Sequence, residues 1–235
     1  MYLPIHVGSS ISQVVFSGVQ RDDEGENISA KNRRYCELTA LYWLWKNDNS
    51  DYKGIAHYRR YFGGSGEKGI ATSEDLAKLL KISPILLPKK RRYYISTVEA
   101  HYADTFDRAH LDIIRKVLSK NDPKVLQAFD GHMGKRAAHI WNMVVMRSDI
   151  FDAWCSWLFP ILEEVEFHIN FDNMTPFEER VIGRLSERLL DPWLTANELS
   201  YIEVPVVSME KTNWKKKILS FLAAKFSGKK YEESF

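Results

Sequence analysis

With 235 residues, 45% of them hydrophobic, the chain can bury the core of one compact domain, and no Gly/Ser/Pro-rich linker divides it. The formal charge of +2 excludes the broad positive field of a nucleic-acid-binding protein. No apolar run reaches the ~18 residues of a membrane-spanning helix, and no leader pattern is read at the amino end. The two cysteines, Cys36 and Cys155, lack metal-ligand spacing and fall in apolar helical patterns, so they read as small buried hydrophobes in a reducing cytoplasm.

In chain order, Lys31 to Trp45 sets Tyr35, Leu38, Thr39, Tyr42 and Trp45 on one face, which predicts a helix with Glu37 and Lys46 on the other side. Tyr52 to His57 and Ile82 to Leu87 are apolar runs that predict buried strands, the second closed by Pro88. Thr97 to Tyr102, Asp107 to Ser119 and Lys124 to Phe129 predict helices, and His139 to Met146 alternates as a strand. Ser148 reads as the cap of a helix through Leu162, with Asp149 in its first turn. Thr175-Pro176-Phe177-Glu178 has the cap, N1 proline and N3 carboxylate of a capping box, predicting a helix to Leu190. The alternation predicts an α/β domain.

Both predicted strands run into cations, His57-Tyr58-Arg59-Arg60 after the first and Lys89-Lys90-Arg91-Arg92 after the second. Ligands of open α/β sheets gather at the carboxyl ends of strands, and a guanidinium fork suits phosphate. Solvated faces or surface ion pairs account for the same residues equally well. Tyr93 and Tyr94, beside the second cluster, suit sugar stacking together with anion contact.

Six segments, "NISAKNRRYCELTALYWLWKN", "DYKGIAHYRRYF", "ILLPKKRRYYISTVEAHY", "HIWNMVVMRSDIFDAWCSWLFPIL", "RVIGRLSERLLDPWL" and "VVSMEKTNW", resemble successive blocks of the DUF4422 glycosyltransferases, bacterial enzymes of exopolysaccharide, capsule and O-antigen assembly. The resemblance implies a GT-A-like nucleotide-sugar fold with a mixed central sheet flanked by helices. It also implies transfer of a hexose, galactofuranose in some members, from a UDP-sugar to a growing glycan. Members of that family open with a further strand, which the resemblance places before the block read here as "YLPIHVGSS". The alternative from another class is a non-catalytic nucleotide-sugar or glycan-binding subunit of a polysaccharide assembly complex.

On this resemblance the donor is expected to meet Asn27, Ser29, Lys31 and Asn32 of the polar loop, together with His57, Arg59, Arg60, Lys89 and Lys90. Tyr94, His101, His139, Asn142 and Arg180 are expected to line an acceptor site or pocket. Many GT-A enzymes neutralise the departing diphosphate with a metal held by acidic residues, whereas His57-Tyr58-Arg59 stands in the comparable place. Metal-independent transfer is therefore expected, with Mn²⁺ or Mg²⁺ on His57 and a distant carboxylate as the competing arrangement. Inverting transfer needs a carboxylate base for the acceptor hydroxyl. Glu179 ranks first, next to Arg180 and one turn before Gly183, whose missing side chain leaves room for substrate; Asp172 and Asp130 follow. Glu178 reads as a cap, and Glu187 as the partner of Arg184 or Arg188.

Residues 1–210 thus read as the catalytic domain and 211–235 as an added segment. From Trp214 to Phe226, apolar residues share one side while Lys215, Lys216 and Lys217 crowd another. Such a basic amphipathic helix suits either an anionic membrane surface, where a lipid-linked acceptor would reside, or packing on the domain. The expected setting is the cytoplasm, at the inner face of its membrane.

Overall fold

Four short strands form a mixed sheet in the order Tyr52–Ile55, Val144–Arg147, Ile85–Pro88, Ile202–Val204. The structure, a computed structural model, describes residues 2–210. The segment Trp214 to Phe226 lies outside the described residues. Val144–Arg147 runs antiparallel to both of its neighbours, and Ile202–Val204 runs parallel to Ile85–Pro88. In this register Ile55 faces Val144 and Pro88 faces Val204. The carboxyl ends of three strands and the amino end of the fourth therefore share one edge of the sheet.

Ile85–Pro88 is buried at every position because it is covered on both faces. Its side chains alternate, with Ile85 and Leu87 in the main core and Leu86 in a second cluster with Phe62, Ala71, Leu76, Met143 and Val204. Helix Ser73–Leu80, opened by a capping box between Thr72 and Asp75, covers that second face. Helix Ser148–His168 covers the other, burying Phe151, Trp154, Cys155, Leu158, Leu162 and Val165 at three- and four-residue spacing. Trp45, on helix Leu38–Asn47, stacks on Phe159 of that long helix with ring centroids 5.8 Å apart. A Cβ on Gly54 would come within 2.6 Å of the Val144 carbonyl oxygen, so this strand pair closes around a glycine.

The mixed α/β architecture agrees with the expectation, but several boundaries shift. The helix expected from Lys31 to Trp45 breaks at Cys36 (φ 54°), between Asn32–Tyr35 and Leu38–Asn47. The strand expected from His139 to Met146 covers only Val144–Arg147, because residues 139–142 turn away through two left-handed positions. Ser148 is the first residue of its helix and makes no capping hydrogen bond, while Asp149 pairs with Arg147; the helix runs six residues past Leu162, to His168. The Thr175–Glu178 box forms, but it opens a short 3₁₀ turn and then Val181–Ser186 rather than a helix to Leu190. Cys155 is buried and free, whereas Cys36 is half-buried.

Candidate active site at the carboxyl edge of the sheet

The segment His139–Asn142 meets Gly183, Glu187 and Asp191, residues four apart on one side of a helical stretch. The backbone N–H of His139 donates to Asp191 Oδ2 (2.9 Å) and that of Trp141 to Glu187 Oε1 (3.1 Å). Asn142 Nδ2 donates to the Gly183 carbonyl (3.1 Å), and Ser186 Oγ donates to Asn142 Oδ1 (2.9 Å). This ladder holds Trp141 at φ 76° and Asn142 at φ 53°. A left-handed conformation costs a non-glycine residue about 1–3 kcal/mol and concentrates at functional sites.

Asn142 Nδ2 also donates to Glu37 Oε1 (2.8 Å), tying the ladder to the break before helix Leu38–Asn47. Burial, and then the nearby Glu187 carboxylate, raise the pKa of Glu37 above the ordinary glutamate range. Its side chain keeps 20% of its surface open to solvent, so the carboxyl remains reachable. His57 Nε2 lies 4.0 Å from Glu37 Oε2. Burial, reinforced by Arg60 and Arg59, lowers the His57 pKa to about 4, which keeps the ring neutral at pH 7.

Arg60 is half-buried with its guanidinium 4.9 Å from the centre of the Trp141 ring. Among the described residues no carboxylate forms an ion pair with it. Arg180 donates through Nε to Cys36 Sγ (3.2 Å) and contributes, like Arg60, to the positive surroundings of His57. The edge therefore gathers a half-buried and a buried carboxylate, Glu37 and Glu187, with a neutral imidazole, two guanidinium groups and an indole. It can accept a proton at Glu37 and offset an anion at Arg60.

Of the residues expected from sequence, His57, Arg60, Asn142 and Arg180 meet here. Arg59 points to Glu210 (3.0 Å). Asn27, Ser29 and Asn32 instead build their own loop. Asn27 bonds the Asp23 and Gly25 carbonyls, Ser29 the buried Asp22, and Asn32 the Cys36 carbonyl. Lys31 pairs with Glu166 and Glu163. Lys89 is exposed, Lys90 donates to Tyr201 Oη (2.7 Å), and Tyr94 is 78% exposed at φ 38°. His101 lies against the Tyr93 ring, and His139 is buried with Nδ1 2.6 Å from Asp191 Oδ1.

Asp130 is exposed and held by Arg115, and Asp172 is exposed in a turn. Glu179 is half-buried in the 3₁₀ turn next to Arg180. Gly183 leaves room for the chain itself rather than for substrate, since a Cβ there would lie 3.1 Å from the Tyr35 carbonyl and 3.3 Å from Cys36. Glu187 pairs with Arg188 (3.4 Å), one of its two expected partners, and also takes the Trp141 N–H. Glu37 was read from periodicity as a residue of the outer face. An acidic residue embedded between Tyr35, Leu38 and Thr39 was the available signal of its burial. Among the described residues no group of three or more His, Cys, Asp or Glu side chains is arranged to hold a metal.

A family model for a domain of unknown function, DUF4422, matches residues 1–198. The chain belongs to the DUF4422 family. Its fold is similar to the apo structure of the bifunctional glycosyltransferase WbbM, with a TM-score of 0.79 and 30% sequence identity over 89% of this chain. The match takes in 42% of the WbbM chain, so this DUF4422 chain corresponds to less than half of that protein. No curated protein matches it. Among its described residues no helix is long and apolar enough to cross a membrane.

Proposed function

We propose that this chain is a glycosyltransferase that moves a hexose from a nucleotide-sugar donor to a growing surface polysaccharide. The observation that carries this reading is the placement of Glu37, its pKa raised by burial and by Glu187, 4.0 Å from His57 at the carboxyl edge of a sheet whose fold resembles a glycosyltransferase, with Arg60, which has no ion pair among the described residues, also acting on His57. Glu37 takes the proton of the acceptor hydroxyl, a task suited to a carboxyl whose pKa has moved toward neutrality. Glu179 ranks behind it, being half-buried next to Arg180 but outside the hydrogen-bonded ladder.

Arg60 and Arg180 offset the charge that develops on the departing nucleoside diphosphate, and neutral His57 can hydrogen-bond the donor without repelling either cation. The exposed part of the Trp141 ring offers a face for the sugar. The family resemblance makes UDP-galactofuranose the leading donor. The basic segment read at Trp214 to Phe226 fits a lipid-linked acceptor at an anionic membrane surface.

The test is incubation of the folded full chain with a panel of UDP-sugars, following nucleotide release with and without a glycan acceptor. Acceptor-dependent release that Glu37→Gln abolishes supports the reading. Silence across the panel from the well-folded chain would sink it and favour a binding subunit.

A further inference from the structure

Beyond the end of Ile85–Pro88 the chain forms a small antiparallel pair, Arg91–Arg92 with Ala137–Ala138, in which Arg92 lies opposite Ala137. An open cleft of ≈ 460 Å³ lies there, lined by Lys90, Arg92, Tyr94, Lys135, Arg136 and Ala137. Four of those six residues are cationic, and none is acidic. Among the described residues two carboxylates act on this group, both at Lys90: Asp191, and Glu203 with an oxygen 3.8 Å from Lys90 Nζ. Among the described residues Arg92, Lys135 and Arg136 form no ion pair, and the Arg136 guanidinium donates only a long hydrogen bond, 3.4 Å, to the Tyr94 carbonyl. Crowding like charges without counter-charges is unfavourable, and a bound anion would relieve it.

Two further observations point to a ligand. Tyr93 is 5% exposed, yet its hydroxyl has no hydrogen-bond partner among the described residues, whereas buried His132 sets Nε2 3.4 Å from Asp191 Oδ2. Tyr93 lies between Arg92 and Tyr94, with its backbone N–H on the Arg136 carbonyl (2.8 Å). Buried polar groups normally find partners, so an unpartnered hydroxyl on the residue between Arg92 and Tyr94 marks this stretch as incomplete. Tyr94, held at φ 38° with its ring in solvent, adds an aromatic face at the rim.

We propose that this cleft is a second anion subsite, separate from Arg60, which binds the phosphate or diphosphate group of a phosphorylated acceptor. Assigning the anion to the acceptor rests on the transferase reading; the anion site itself does not. The strands that lead to Arg60 and to Lys90 are two places apart in the sheet, ~10 Å at the usual spacing. Two anionic ends anchored that far apart leave the edge carrying Glu37 and Trp141 between them for the sugars. Arginine and lysine together suit the purpose, with forked and point-like contacts to phosphate oxygens.

The test is calorimetric titration of inorganic pyrophosphate into the full chain saturated with UDP, so that the donor end is occupied. Saturable binding is expected, at least tenfold weaker in Arg92→Gln and in the Lys135→Gln/Arg136→Gln double variant, with UDP affinity unchanged in both. Thermal unfolding of the same samples verifies that they are folded. Repeating the titration with a prenyl diphosphate and with a hexose 1-phosphate separates a lipid-linked acceptor from a soluble one. Pyrophosphate binding that is absent, displaced by UDP, or unaltered in both variants overturns the proposal. If UDP fails to bind but pyrophosphate still depends on Arg92, the transferase reading fails while the anion site stands.

Discussion

Asn142 reaches Glu37 at 2.8 Å from 105 residues away in sequence, and the same amide nitrogen donates to the Gly183 carbonyl at 3.1 Å. One side chain, on a backbone held left-handed, thus fixes the proposed base against the helical stretch that carries Glu187. The charge of Glu37, rather than its shape, should therefore matter most for turnover. Glu37→Gln keeps an oxygen to accept from Asn142 and removes the proton acceptor. Transfer is expected to fall at least a hundredfold with the unfolding temperature nearly unchanged, the usual scale for loss of general base catalysis. Measured kcat within a few-fold of the parent would remove Glu37 from that role.

Arg60 and Arg59 should separate cleanly. Arg60 packs on Trp141 without a carboxylate partner among the described residues, and Arg59 is paired with Glu210. Arg60→Ala is expected to cost about 3 kcal/mol of transition-state stabilisation, roughly a hundredfold in rate. Arg59→Ala should change kcat/KM only slightly. Equal effects from the two would show that the edge does not distinguish them.

Asn142→Leu tests the ladder itself. It removes the Asn142 bonds to Glu37, to the Gly183 carbonyl and to Ser186, whose hydroxyl keeps only its 2.8 Å bond to Gly183, and it keeps a branched side chain at φ 53°. A loss of about 2–3 kcal/mol in urea unfolding is expected, from the unsatisfied groups and the added strain. Asn142→Gly, which relieves the backbone but also loses the bonds, should be less destabilised than Asn142→Leu. The reverse order would remove backbone strain from the account.

Acid should destabilise the fold through buried neutral histidines. Burial lowers both His57 and His132 to about 4, against 6.5 for an ordinary histidine. Between pH 6.5 and 4 the unfolded chain takes up protons that the folded chain refuses, so stability falls as pH drops through that window. Glu37 has the opposite sign, because its raised pKa contributes stability at low pH that is lost as pH rises through it. Urea midpoints measured across the window should therefore decline less steeply in His132→Gln than in the parent. Identical slopes would place the acid sensitivity elsewhere.

The parts of the fold governed by short-range pattern were legible in the sequence. The apolar run Ile82 to Leu87 was read as a strand, which the structure starts three residues later at Ile85, and the helix read from Ser148 to Leu162 is present and runs on to His168. The break at Cys36 was invisible, because apolar periodicity continues across it while the backbone departs to φ 54°. His139–Met146 was half misread for a related reason. Its alternation fits a strand, but Asp191 and Glu187, 52 and 46 residues further on, capture the backbone N–H groups of His139 and Trp141. His57 and Arg60 could be read from their position at a strand end. Glu37 was placed on the outer face because the helix was read as continuous from Lys31; the break at Cys36 makes it instead the residue that precedes helix Leu38–Asn47.

The ladder between His139–Asn142 and Gly183, Glu187 and Asp191 also bears on how the molecule acquires its chemistry. Its contacts close loops of 41 to 52 residues, and the tie to Glu37 closes one of 105. Contacts of such span form late, after the entropy of closing the intervening chain has been met. No stretch emerging before Gly183 during synthesis contains the whole ladder, and Asn142 has no local reason to adopt its left-handed turn until that helical stretch arrives. A nascent or partly unfolded chain therefore holds the separate residues without the arrangement. Chemical competence and completed folding become a single event.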